Sequence, residues 1–127
     1  MKNIILIIED EKPLRDALYD KLTREGFTAI IAKDGAEGLR IALRDHPDLL
    51  LLDIIMPVMD GITMLKKLRQ DAWGKTARVI ILTNLTADNY RVGQYLTQSK
   101  ISYYLIKSDW KIESVIEKIR GRLQDAS

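Results

Sequence analysis

Cysteine is absent from the chain, which excludes disulfides, thiolate metal sites and cysteine nucleophiles. Histidine occurs once, as His46 before Pro47, and reads as a surface loop residue. A lone imidazole with no partner nearby in sequence is a poor metal or catalytic candidate. An excess of either charge is also lacking. The 20 basic and 18 acidic side chains leave +2, too little to argue for a nucleic-acid or membrane partner. No apolar run approaches the roughly 20 residues of a membrane helix. The opening run Ile4–Ile8 is too short for a signal-peptide core and ends in acids. Together these lacks lead us to expect a cytoplasmic protein with no direct nucleic-acid or membrane binding. Linkers, low-complexity segments and internal repeats are missing too. The 127 residues, 46% of them hydrophobic, are expected to form a single domain spanning residues 1–127.

What is present is a rhythm. Short apolar runs recur at Ile4–Ile8, Phe27–Ala32, Leu49–Leu52, Val79–Leu82 and Tyr103–Ile106. Each is followed by a stretch of helical spacing. Pro13 suits a first helical turn, Leu14, Leu18 and Leu22 follow, and Gly26 caps the end. Ala36, Leu39 and Leu43 mark a second helix that stops before His46-Pro47. Asp60 caps a third, with a stripe of Ile62, Leu65 and Leu68. Residues 73–76 read as loop. The segment 86–98 is a weak fourth helix, carrying Val92, Gly93 and Thr97. The last helix has the cleanest stripe: Ile112, Val115, Ile116, Ile119 and Leu123. Strand and helix alternating five times predict an α/β, doubly wound, five-stranded parallel sheet with helices on both faces.

Chemistry-bearing residues stand where the strand runs end. Glu9 and Asp10 follow the first, Asp53 the third, Thr83 the fourth and Lys107 the fifth. In a parallel sheet these ends share one edge, where α/β folds place their ligands. If the first and third strands are neighbours, three carboxylates meet there. Such a cluster repels itself unless a cation neutralises it, and a hard divalent ion such as Mg²⁺ suits oxygen ligands. Lys107 and Thr83 can bind phosphoryl oxygens, and an aspartate can itself be a nucleophile toward phosphorus.

Asp53 with Met56-Pro57 and Met59-Asp60-Gly61, preceded by Pro47-Asp48-Leu49, resembles the phosphoacceptor segment of two-component receiver domains. Glu9-Asp10-Glu11 resembles their acidic metal pocket, Thr83 their switch hydroxyl, Lys107 their lysine and Tyr104 their switch aromatic. The resemblance covers essentially the whole chain. It implies a flavodoxin-like fold with strand order 2-1-3-4-5. It implies that Asp53 accepts a phosphoryl group from a histidine kinase or a histidine phosphotransfer protein. It also implies Mg²⁺ bound by Asp10, Asp53 and the backbone carbonyl of Ile55, with Glu9 acting through a water. Thr83 and Tyr104 would then switch a face made by the fourth helix, fifth strand and fifth helix. Trp110 is a candidate anchor there for an effector or a homodimer. Such a protein is a signalling switch, and it catalyses at most its own phosphorylation and dephosphorylation.

Several positions depart from the pattern. Ser108 stands where proline usually follows the lysine, so a trans Lys107–Ser108 bond is expected. Asn84 replaces a small residue. The resemblance implies that the side chains at Ile55 and Leu85 flank the path of the hydrolytic water; both are apolar and neither can orient it, so slow loss of the phosphoryl group is expected. Three other readings compete. An Asp-nucleophile phosphatase needs a second Asp where Ile55 stands. A flavin or nucleotide module needs a phosphate loop where Glu9-Asp10-Glu11 stands. A pseudo-receiver signalling without phosphorylation runs against the complete acid, threonine and lysine set. The chain ends soon after the last helix, which fits both a stand-alone receiver and one belonging to a longer regulator.

Overall fold

The computed structural model describes residues 3–54, 56–83, 103–106 and 111–124, with backbone alone described for Thr83 and for 103–106. Five strands, β1 (Ile4–Ile8), β2 (Thr28–Ala32), β3 (Leu49–Asp53), β4 (Val79–Thr83) and β5 (Tyr103–Ile106), form one sheet. Its order is β2-β1-β3-β4-β5, and every pairing is parallel. This is the doubly wound, flavodoxin-like order expected. The helices are α1 (Lys12–Arg24), α2 (Gly35–Asp45), α3 (Gly61–Gln70) and α4 (Ile112–Gln124). The weak helix read over 86–98 lies outside the described residues.

The sheet is apolar on both faces because helices cover both. Leu6, Ile8, Leu50, Leu52, Val79 and Ile81 point into one core, shared with Ile41 and Ala42 of α2 and Met64, Leu65 and Leu68 of α3. Ile5, Ile7, Leu49, Leu51, Ile80 and Leu82 point into the other, with Leu18 and Leu22 of α1 and Val115, Ile116 and Ile119 of α4. The leucine run of β3 thus serves both cores by simple alternation. The stripe read for the last helix holds in full: its middle three members are buried, and Ile112 and Leu123 pack half-buried against them.

The second helix corrects the sequence reading. Its buried face is Gly35, Gly38, Ile41 and Ala42, while Leu43 is exposed and Leu39 half-buried. Gly38 lies against the Ile8 side chain, so the helix packs close through a residue that carries no hydrophobic signal. On α1 the surprise is Arg15, buried between Leu14 and Asp16, while Ala17 is exposed. Smaller corrections are that β2 starts one residue later than read, and that Gly74–Thr76 forms a 3-10 turn.

The edge opposite the chemistry is tied down by side chains. Asp48 Oδ2 accepts the Ile4 backbone N–H at 2.7 Å, joining the starts of β1 and β3. Arg69 Nη1 donates to the carbonyls of Gly74 (2.7 Å) and Ala77 (2.8 Å), holding the turn before β4. His46 is exposed, caps α2 in the left-handed conformation (φ 46°) and stacks on Trp73 with ring centroids 4.3 Å apart. Arg120 of α4 donates to Glu25 Oε2 at 2.7 Å and lies over the Phe27 ring.

Candidate functional site

β1 and β3 are neighbours, with Ile8 opposite Leu52. Glu9 and Asp53 therefore leave the sheet side by side at its C-terminal edge, and Asp10 follows. One carboxylate oxygen from each of Glu9, Asp10 and Asp53 lies within 4.8 Å of the others. Glu9 is 1% exposed and Asp53 4%, while Asp10 is open to solvent. The convergence expected from strand adjacency is present.

The loop carrying Asp53 is braced at several points. The Gly61 N–H donates to the Ile54 carbonyl at 2.8 Å, closing the loop on itself. A Cβ at Gly61 would collide with the Asp53 carbonyl, so α3 begins directly against the backbone of that residue. Asp60 caps α3, accepting from the Thr63 N–H at 2.8 Å. From β2's side, the Gly35 N–H donates to the Met59 carbonyl at 3.1 Å. At Gly35 too a Cβ would collide, with that same carbonyl. Between these braces the Met59 N–H donates to the Pro57 carbonyl at 2.7 Å, a γ-turn centred on Val58. Val58 has φ +67° and is 84% exposed, a strained posture for a β-branched side chain.

The acid loop is held as firmly. The Glu9 N–H donates to the Ala32 carbonyl at 3.1 Å, and Glu9 Oε2 accepts the Glu11 N–H at 3.2 Å. The Glu9 carbonyl accepts from Arg15 Nη1 at 3.1 Å. Arg15 is a residue that sequence reasoning misses, since an arginine at the start of an amphipathic helix reads as solvated. Nothing in the local pattern marks it.

Thr83 ends β4 with its Cα opposite Ile106, and Tyr104 pairs with Ile81, so both backbones reach the sheet where the reading requires. Their side chains are not among the described residues. Ile55, Asn84, Leu85, Lys107, Ser108 and Trp110 lie outside the described residues altogether.

A parallel 2-1-3-4-5 sheet with buried acids at the tips of β1 and β3 defines a class of α/β protein with its chemistry at the carboxyl edge. Residues 5–120 match the family model described as the response regulator receiver domain, and the chain belongs to that family. It is 31% identical over 120 residues to the response regulator MprA of Mycobacterium leprae, covering 94% of this chain and 50% of that protein. The chain spans about half or less of the length of the first curated relatives it matches. Among solved structures, the receiver domain of the Francisella response regulator 1452 superposes with TM-score 0.85 at 26% identity, covering 97% of this chain and 98% of that one. The receiver domain of the sensor histidine kinase PA1611 of Pseudomonas aeruginosa, solved with a magnesium ion coordinated in its active site cleft, shares the fold. Its TM-score is 0.82 at 24% identity, with 98% of this chain and 100% of that one covered.

Proposed function

We propose that the protein is a phosphorylatable switch in a two-component pathway, with Asp53 as phosphoacceptor. The observation that carries this reading is the convergence of Glu9, Asp10 and Asp53 at the tips of two adjacent strands. A histidine kinase or histidine phosphotransfer protein is the donor. A carboxylate oxygen of Asp53 attacks the phosphorus of the donor's phosphohistidine. The new P–O bond forms as the P–N bond breaks, and the imidazole nitrogen keeps the electron pair and takes up a proton.

The donor set fits Mg²⁺: three clustered carboxylates, all hard oxygen ligands, with the chain's single histidine at the opposite edge of the sheet. Asp10, Asp53 and the carbonyl of Ile55 would hold it, and Glu9 would hold a bound water. When bound, the ion neutralises charge building on the equatorial phosphoryl oxygens. Glu9 suits an outer role, since one of its oxygens already accepts a backbone N–H. Lys107 supplies the second cation, and Thr83 a hydroxyl for a phosphoryl oxygen.

Thr83 moving toward the phosphoryl group, with Tyr104 turning inward behind it, passes the event to the face formed by the 86–98 segment, β5 and α4. That face would meet an effector or a second copy. With Ile55 and Leu85 unable to orient water, the phosphoryl group is lost slowly, and the double variant I55N/L85E should lose it faster.

The reading is tested by incubating the protein with Mg²⁺ and acetyl phosphate and weighing it intact. One added phosphoryl group is expected, and none on D53N. Equal labelling of D53N removes the proposal.

A further inference from the structure

Arg15 is a charged side chain with an unusual place. It stands on the first turn of α1, yet only 8% of it is exposed. Burial of a guanidinium is costly unless its donors and its charge are both compensated. The hydrogen bonds account for only part of that. Nη1 donates to the Glu9 carbonyl at 3.1 Å and, at a longer 3.4 Å, to the Asp10 carbonyl, while Nε is buried with no hydrogen-bond partner. The two residues whose backbone it grips carry two of the three clustered carboxylates.

We infer that Arg15 is a positioning residue for the cation site, holding the Glu9-Asp10 backbone so that the carboxylates stay converged against their own repulsion. The inference rests on the receiver reading of that site. Glu9 is then fixed along three lines: its N–H to Ala32, its carboxylate to the Glu11 N–H, and its carbonyl to Arg15. Of these, only the Arg15 bond also reaches Asp10, the solvent-exposed ligand with least packing of its own. Geometry matters as well as charge, because one terminal nitrogen, held in the guanidinium plane with two N–H groups, reaches two successive carbonyls. A lysine ammonium keeps the charge but is a compact, strongly hydrated point on a flexible stem. The positive charge of Arg15 alone would oppose a nearby cation, so a pure charge effect and a positioning effect have opposite signs.

Calorimetric titration with Mg²⁺ separates them, with R69M as control, since Arg69 grips two backbone carbonyls at the other edge of the sheet in the same manner. R15M is expected to weaken Mg²⁺ binding about tenfold, the usual scale for a partner that orients a ligand, and R15K about threefold. R69M should lower the melting temperature and leave Mg²⁺ affinity within about twofold of wild type. R15M or R15K binding Mg²⁺ as tightly as wild type, or more tightly, overturns the inference, as does R69M weakening it as much as R15M. Should R15M not fold, R15K decides the matter by the same criterion. If the wild-type protein takes up no Mg²⁺, the receiver reading fails, and this inference with it.

Discussion

Gly61 sits so tightly against the carbonyl oxygen of Asp53 that no side chain fits between them. The first residue of α3 and the proposed phosphoacceptor therefore share one rigid joint. G61A must push either the helix or the β3 tip aside. We expect it to lose about 2 kcal/mol of stability in urea unfolding, in the range of overpacked sites. Acetyl phosphate labelling should slow about tenfold, because a displaced nucleophile loses its alignment. G121A is the contrast: a Cβ at this position in α4 meets nothing, so the substitution should stabilise by about 0.5–1 kcal/mol. Labelling of G61A at the wild-type rate would show that the joint does not set the geometry.

Val58 is strained by its positive φ and gains little from burial, being almost wholly in solvent. Asn tolerates that conformation far better. V58N should raise stability by about 1 kcal/mol, read as a higher urea midpoint at unchanged slope. An unchanged or lower midpoint would mean the turn relaxes around valine at no cost.

Three carboxylates in one pocket cost stability when no cation is bound. Asp10 is the exposed member and can be neutralised with least disturbance to packing. D10N should gain on the order of 1 kcal/mol in metal-free buffer. Wild type in Mg²⁺ at a hundredfold excess over its Kd should gain about 2.7 kcal/mol, and D10N far less. Differential scanning calorimetry with and without Mg²⁺ checks both signs. A metal-free D10N less stable than wild type would contradict the account.

Glu25 is held below its ordinary pKa of 4.5, first by the Lys21 side chain and then by Arg120. The respective separations are 3.2 and 2.7 Å. A carboxyl depressed in the folded state binds its proton less readily there than in the unfolded chain. Its contribution is therefore present above the unfolded pKa and fades as pH falls through the folded one. Urea midpoints across the acid range should fall with pH more shallowly in E25Q than in wild type. The group is exposed, so the effect is small and weakens with salt. Identical slopes in the two proteins would show that the pair contributes nothing.

Much of this is legible in the sequence, for identifiable reasons. β3 announces itself because burial on both faces leaves it only leucines, and strand adjacency brings its terminal Asp53 to Glu9 and Asp10. The last helix is readable because its face is built from large apolar residues. The face of α2 is not, because its closest contacts run through Gly35 and Gly38, and the absence of a side chain leaves no periodic signal. Arg15 stays hidden because its partners are backbone carbonyls, which no residue letter reports. The posture of Val58 is likewise a property of loop closure between Ile54 and Gly61 rather than of valine.

The stack of His46 on Trp73 lies before β3 begins, whereas Asp53 ends it, a separation of about 15 Å along the strand. The indole is clamped to the imidazole by the α2 and α3 corner and shares nothing with the acids. Its emission is thus a gauge of whether that corner is folded, and it should stay constant while cation or phosphoryl group comes and goes. The chain's other indole, Trp110, follows Lys107 by three positions. A W73F protein would leave that second fluorophore alone. Trp73 thus serves as a built-in reference for the folded state of that corner, without any dye being added.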